Sequence, residues 1–183
     1  MKLVTIVTEF TANNLPKIWI ASYSEASQLL ASETGDAIAH IISIGEPGTS
    51  PPKGYTKVPH RLRLEFDDIV ALNDNFFYVL CTPEHICQVI DFVPIISQEG
   101  GDVLIHCQAG ISRSAAIALT IYAILLGAGQ EEEALALVLE NRPQAVPNVW
   151  IAQLADEALG RNGKLAQVAQ MHEDWYFEYD GEI

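Results

Sequence analysis

Residues 102–126 carry the tightest constraint in this 183-residue chain. A short apolar run, Asp102-Val103-Leu104-Ile105-His106, is followed by a loop and then by an apolar stretch, 114–126, without Gly or Pro. The first reads as a strand and the last as a buried helix. The loop between them, His106-Cys107-Gln108-Ala109-Gly110-Ile111-Ser112-Arg113-Ser114, therefore lies where a strand ends and a helix begins. At such a junction the first backbone N–H groups lack intrahelical partners and the helix dipole shows its positive end, which favours an anion.

The same field acts on Cys107. Loop N–H donors, a helix start and the nearby guanidinium of Arg113 all favour thiolate over thiol, and a thiolate is a nucleophile. Arg113 offers a planar fork that grips two oxygens of a phosphoryl group. Gly110 lets the loop curl, so that the amides of Gln108, Ala109, Gly110, Ile111, Ser112 and Arg113 converge on bound phosphate. Ser114 is placed to offer a hydroxyl to the Cys107 sulfur as it leaves, and His106 to support the loop through its ring nitrogens. Chance association of a buried cysteine with a helix-start arginine does not explain all of these residues together.

Segments elsewhere set the fold class. Residues 3–7, 17–21, 37–44, 61–66 and 103–106 read as strands, and 25–33, 83–97, 114–126, a segment from 131, and 148–159 as helices. Residues 37–44 are apolar on both faces, as in a buried parallel strand. Pro94 marks a kink or an early end of the second helix. Gly127 and Gly129 end the third, and Glu131, Glu132 and Glu133 suit the first turn of the next. The expectation is an α/β fold with a central, mostly parallel sheet and helices on both faces. Residues 1–183 are expected to form one domain, with 45–54 as a Pro- and Gly-rich surface loop. The tail from about 172 to 183 mixes acids with aromatics, read as rings packed on the domain or as a partner-binding peptide.

The formal net charge of −14 argues against nucleic acid and anionic membrane as partners. The apolar run 115–126 is shorter than the roughly 20 residues that a membrane span needs. Thr5, Thr8 and Glu9 interrupt what would be the apolar core of a signal peptide, and three cysteines make no disulfide framework. A cytoplasmic location is expected. His40, His60, His85 and His172 show no ligand spacing, so neither metal nor cofactor is expected. Cys81 and Cys87 read as core or turn residues.

The loop resembles the His-Cys-x5-Arg-Ser signature of cysteine-dependent protein tyrosine phosphatases. The rest of the chain is similar to their compact dual-specificity branch, of bacterial type. The similarity runs through Ile18-Trp19-Ile20-Ala21-Ser22-Tyr23-Ser24-Glu25-Ala26, Ala39-His40-Ile41-Ile42-Ser43-Ile44-Gly45, Pro147-Asn148 and Gln153-Leu154, over about residues 15–160. It implies a general acid after the strand at 61–66. Along that strand Leu62, Leu64, Phe66 and Asp68 share the core-facing side, while Arg61, Arg63, Glu65 and Asp67 face the other way. Asp68 is therefore preferred, with Asp67 and Asp74 as alternatives.

Relatives that dephosphorylate inositol lipids tend to carry lysines in this loop, whereas Gln108, Ala109, Ile111 and Ser112 include no base; the resemblance therefore implies a phosphoprotein or phosphopeptide substrate, phosphotyrosine before phosphoserine and phosphothreonine. An inositol-lipid or other small-phosphomonoester phosphatase, a phosphate-binding module without turnover, and a sulfurtransferase or arsenate reductase remain alternatives. Lys53, Lys57, Arg61 and Arg63 form either a positive rim to the pocket or pairs with Glu65 and Asp67.

Overall fold

The computed structural model describes residues 15–71 and 77–180. The strand expected at 3–7 and the alternative acid Asp74 lie outside them. Four strands, β1 (Ile18–Ala21), β2 (Ile38–Gly45), β3 (His60–Glu65) and β4 (Asp102–His106), form a sheet in the order β1-β4-β2-β3. Every pairing is parallel. All carboxyl ends thus emerge along one edge, where open parallel sheets place their ligand sites.

Alternation of side chains divides the interior in two. Ile18, Ile20, Ile42, Ile44, Leu64, Val103 and Ile105 face the larger core. That core is closed by α2 (Pro83–Glu99), α3 (Arg113–Leu126), α4 (Glu131–Asn141), α5 (Val149–Leu159) and α6 (Lys164–Trp175). Ile41 and Leu104 face the opposite side, where α1 (Tyr23–Leu29) and a 3-10 turn at Tyr55–Lys57 supply Ala26 and Tyr55. Helices cover both faces, as expected, but unequally.

Twelve of the fourteen residues of α3 are buried, which makes it the central helix. Ala115, Ala116, Ala118 and Ala123 allow neighbours to approach closely, while Ile117 and Leu119 fill the gaps. Truncating either to Ala should cost about 2–5 kcal/mol. The start of this helix therefore belongs to an element buried along almost its whole length.

Several boundaries differ from the expectation. The first helix runs over Tyr23–Leu29 and not 25–33, because Ser22 and Glu25 form a reciprocal capping box that starts it early. The second continues through Pro94 to Glu99: Val93 and Ile96 are buried on either side of the proline, and Gly100, in the left-handed φ region, ends it.

Helix α6 was not expected at all. Only Leu165 and Ala169 are buried in it, so its apolar pattern is thin. Its start is fixed instead by the buried carboxylate of Asp156, which accepts N–H bonds from Gly163 (2.7 Å), Leu165 (2.7 Å) and Ala166 (3.3 Å). A π-type turn, Tyr176–Asp180, follows. Trp175 and Phe177 are 52% and 68% exposed, so these two rings do not pack on the domain as one reading of the tail expects, while Tyr176 is half-buried.

Candidate active site

Between β4 and α3 the backbone of residues 107–112 curls back on itself with its carbonyls turned outward. Cys107 O faces His106 Nδ1 (3.3 Å) and Gln108 O accepts from Tyr23 N (3.2 Å). Ala109 O accepts from Arg142 Nη2 (3.5 Å), Ile111 O from Val146 N (3.0 Å), and Ser112 O from Ala116 N (3.0 Å) and Asn148 N (3.3 Å). In a trans peptide the N–H points opposite to the C=O. The N–H groups of residues 108, 109, 110, 112 and 113 are therefore directed into the bowl, with α3 beginning at its rim. Gly110 fits because its φ is +73° and because a Cβ there would fall 2.6 Å from the backbone of Ala21 and Ser22.

Cys107 lies at the floor, 1% exposed. Its Sγ receives the N–H of Gly110 at 3.3 Å and lies 3.3 Å from Ser114 Oγ. Sulfur, amide donors and hydroxyl stand where the loop's residue order suggested.

Arg113 is buried, and its guanidinium is clamped from behind. Nη1 donates to Phe66 O at 2.8 Å and Nη2 to Glu46 Oε1 at 2.7 Å. Its buried Nε has no hydrogen-bond partner, with Asp68 Oδ2 3.7 Å away. Burial pushes the Glu46 carboxyl up, but the hydrogen bond from Arg113, a backbone hydrogen bond and the charges of Arg113 and Arg63 together outweigh it, and the net direction is downward. Such an arrangement can offer a fixed cationic edge to a bound oxyanion.

The two candidate aspartates have separate surroundings. Asp68 leans over the loop: its Oδ1 accepts from Ser112 Oγ (2.7 Å) and Asn148 Nδ2 (2.9 Å). Asp67 is engaged elsewhere, by Val79: its Oδ2 accepts from Val79 N at 2.6 Å and its own N–H donates to Val79 O at 2.8 Å. A hollow of about 480 Å³ opens beside Asp68, lined also by Ile69, Val70, Ser112, Asn148 and Glu173.

His106 is fully buried, with Nε2 2.7 Å from Ser43 Oγ. Burial pushes its pKa down to about 4, so the ring is neutral near pH 7 and supports the loop as a dipole. Glu46, Ser43, Asn148 and Arg142 were not singled out from the sequence as site residues. A signal for Glu46 did exist, because the residues just after parallel strands collect at the sheet's carboxyl edge.

Of the four basic residues, Arg61 donates to the carbonyls of Val58, Thr56 and Pro59. Arg63 pairs with Glu65 at 3.4 Å, while Lys57 lines another hollow with Glu33 and Asp36. A continuous positive rim is not what these contacts describe, and Asp67 pairs with neither arginine. Cys81 is buried, its thiol pushed up to about 12, and Cys87 is exposed. Among the described residues no group of three His, Cys, Asp or Glu side chains is arranged to hold a metal, and no helix is long and apolar enough to cross a membrane.

A family model described as dual specificity phosphatase, catalytic domain, matches residues 18–158. Among curated proteins, mouse dual specificity protein phosphatase 15 is 30% identical over 149 residues, which is 78% of this chain and 55% of that protein. Its human counterpart is 30% identical over 153 residues, 80% of this chain and 45% of that protein. The chain thus spans about half the length of these curated relatives. They lend no support to a bacterial type. Among solved structures, the human tyrosine phosphatase-like serine/threonine/tyrosine-interacting protein matches with a TM-score of 0.61 at 27% identity, covering 78% of this chain and 91% of that one. The structure of DUSP15 matches with a TM-score of 0.56 at 26% identity, covering 86% and 92%. With that model spanning most of the sequence, strand, phosphate loop and central helix included, the chain belongs to the dual specificity phosphatase catalytic-domain family.

Proposed function

We propose that this chain is a protein phosphatase that hydrolyses phosphotyrosine monoesters, with phosphoserine and phosphothreonine within its range, through a phosphocysteine intermediate. One observation carries the reading: a sulfur under converging amides, beside a clamped arginine whose buried Nε makes no hydrogen bond, with Asp68 at the rim 3.7 Å from that Nε. Cys107, Arg113, Asp68 and Ser114 are the catalytic residues, residues 108–113 bind the phosphate, and His106 supports them.

In the first step the Cys107 thiolate attacks phosphorus and the P–O bond to the leaving group breaks. Asp68 delivers its proton to the departing oxygen. The loop amides and Arg113 hold the remaining oxygens as charge redistributes over them. Water then attacks the phosphocysteine and gives its proton to Asp68, while the S–P bond breaks with the Ser114 hydroxyl donating to sulfur. The scheme uses neither metal nor cofactor.

For the single phosphatase domain proposed over residues 1–183, three features support a phosphoprotein substrate and a cytoplasmic setting. No lysine or arginine stands at 108, 109, 111 or 112 to hold further phosphates. The net charge of −14 opposes nucleic acid and anionic membrane as partners. A nucleophilic thiol calls for a reducing compartment, which supports the cytoplasm.

The test is turnover of an aryl phosphate and of phosphotyrosine, phosphothreonine and inositol-lipid panels by wild type and Cys107→Ser. Wild type should favour phosphotyrosine, and the serine variant should bind phosphopeptide without turnover. Preference for the lipid panel, or full activity in Cys107→Ser, overturns the proposal.

A further inference from the structure

We infer that Arg63 is a positioning residue that ties the two ends of the phosphate loop to one guanidinium, through Ser43 and His106 at one end and through the Glu46 turn at the other. The inference rests on the phosphatase reading of the same site.

Arg63 sits on β3, next to β2 in the sheet, where Ser43 is its register partner. Its Nη1 donates to Ser43 Oγ at 2.8 Å, and Ser43 Oγ lies 2.7 Å from His106 Nε2. Arginine only donates, so the serine oxygen accepts from it and is free to turn its own hydrogen to Nε2. His106 then carries its hydrogen on Nδ1, which faces Cys107 O at 3.3 Å. That contact holds the first loop carbonyl outward, and with it the first loop N–H inward.

The other branch starts at Nη2, which donates to Thr49 O at 2.6 Å and Thr49 Oγ1 at 3.0 Å. Thr49 in turn donates to Glu46 O from its N–H at 3.0 Å and its hydroxyl at 2.7 Å. The turn so closed presents the Glu46 carboxylate to Arg113 Nη2. Gly45 leaves the passage open, since a Cβ there would strike both Arg63 Nη2 and Thr49 Oγ1. Cys107 and Arg113, six positions apart in the loop, are thus referred back to a single side chain that touches neither.

A lysine cannot substitute, because an ammonium is a point donor without the fork that reaches both branches. A hydrophobic or purely structural role for Arg63 predicts lower stability alone. Coupling predicts that Arg63 and Ser43 act as a unit.

The experiment compares wild type, Arg63→Met, Arg63→Lys, Ser43→Ala and the double variant Arg63→Met/Ser43→Ala. Three quantities are measured: thermal midpoint, kcat on an aryl phosphate, and the rate of Cys107 alkylation by iodoacetate at pH 7. Arg63→Met and Ser43→Ala should each lower kcat and alkylation about ten-fold, the scale of a modest misplacement of catalytic groups. Arg63→Lys should recover less than half of the loss, and the double variant should be within about two-fold of the worse single, as coupled neighbours behave. Wild-type rates in a folded Arg63→Met, or losses that multiply in the double variant, overturn the inference. Should Arg63→Met not fold, Ser43→Ala decides, because unchanged kcat and alkylation in that folded variant overturn it equally. Absence of turnover in wild type would sink the phosphatase reading, while the alkylation comparison would still test the coupling.

Discussion

Glu46 Oε1 lies 2.7 Å from Arg113 Nη2, although the two residues stand 67 positions apart in the chain. The pair is asymmetric: the Arg113 side chain is 3% exposed and that of Glu46 is 40%. Solvent at the carboxylate limits what the pair adds to stability to about 1 kcal/mol, the range of exposed ion pairs. Its effect on orientation is larger. Glu46→Ala should lower kcat/KM on phosphotyrosine about 10²-fold, the scale of a 1 Å misplacement, while Glu46→Gln, which keeps an acceptor, loses less. Steady-state kinetics beside a melting curve separate the two effects. A large loss of stability with normal kinetics would contradict this account.

Asp68 and Asp67 should respond in opposite ways to the same substitution. Asp68→Asn removes a transferable proton and should slow phosphotyrosine hydrolysis by about 10²–10⁴, with much less effect on an aryl phosphate whose leaving group needs no proton. Asp67→Asn weakens the bond to Val79 N and should lower stability by about 1 kcal/mol with kcat nearly unchanged. Reversal of this pattern in kinetics of the two variants would reassign the acid.

The buried imidazole of His106 makes stability depend on pH in a defined window. Its folded pKa is about 4, below the ordinary 6.5, because burial disfavours the charged ring. Above 6.5 both folded and unfolded chains hold it neutral. As pH falls from 6.5 to 4 the unfolded chain takes up the proton first, so stability is lost across that interval, by up to about 3 kcal/mol. Burial also lowers His40 and His85, which add to the same window. The readout is therefore the difference in urea unfolding between wild type and His106→Asn at pH 7 and pH 4.5: the variant should lose less stability between them. Glu25 acts lower still. Hydrogen bonding from Arg142 holds it near 2, and its contribution fades as pH falls from 4.5 to 2.

Asp156 should fix where α6 begins. Its buried carboxylate accepts three N–H bonds at the helix start, and Asp156→Ala would leave those donors unpaired. A loss of about 2 kcal/mol is expected, in the upper range for a helix cap. Circular dichroism and limited proteolysis should show α6 released first. A variant that melts as wild type would contradict the capping account.

Local signals place the segment around Cys107, although the equally local Ser22/Glu25 capping box starts α1 earlier than its apolar pattern implies. The strand, loop and helix of residues 102–126 are contiguous, so the amide bowl, the sulfur beneath Gly110 and the nearby Ser114 hydroxyl follow from backbone geometry within nine residues. Alternation along β3 was local too, and it separated the sides on which Asp67 and Asp68 emerge. Helix α6 escaped because its start depends on a carboxylate from another helix, and its few buried residues give no clear period.

By itself, then, the order of residues determined the strand, loop and helix of 102–126, the α/β class and the placing of Cys107 and Arg113 at the two ends of that loop. Tertiary structure alone decided what holds them: Glu46 behind Arg113, Ser43 beneath His106, and Asn148 against Asp68, at separations of 67, 63 and 80 positions. The physical reason is that side-chain period and capping act over a few residues. Parallel pairing sets the register between distant strands, and only that register brings their carboxyl ends to a common edge.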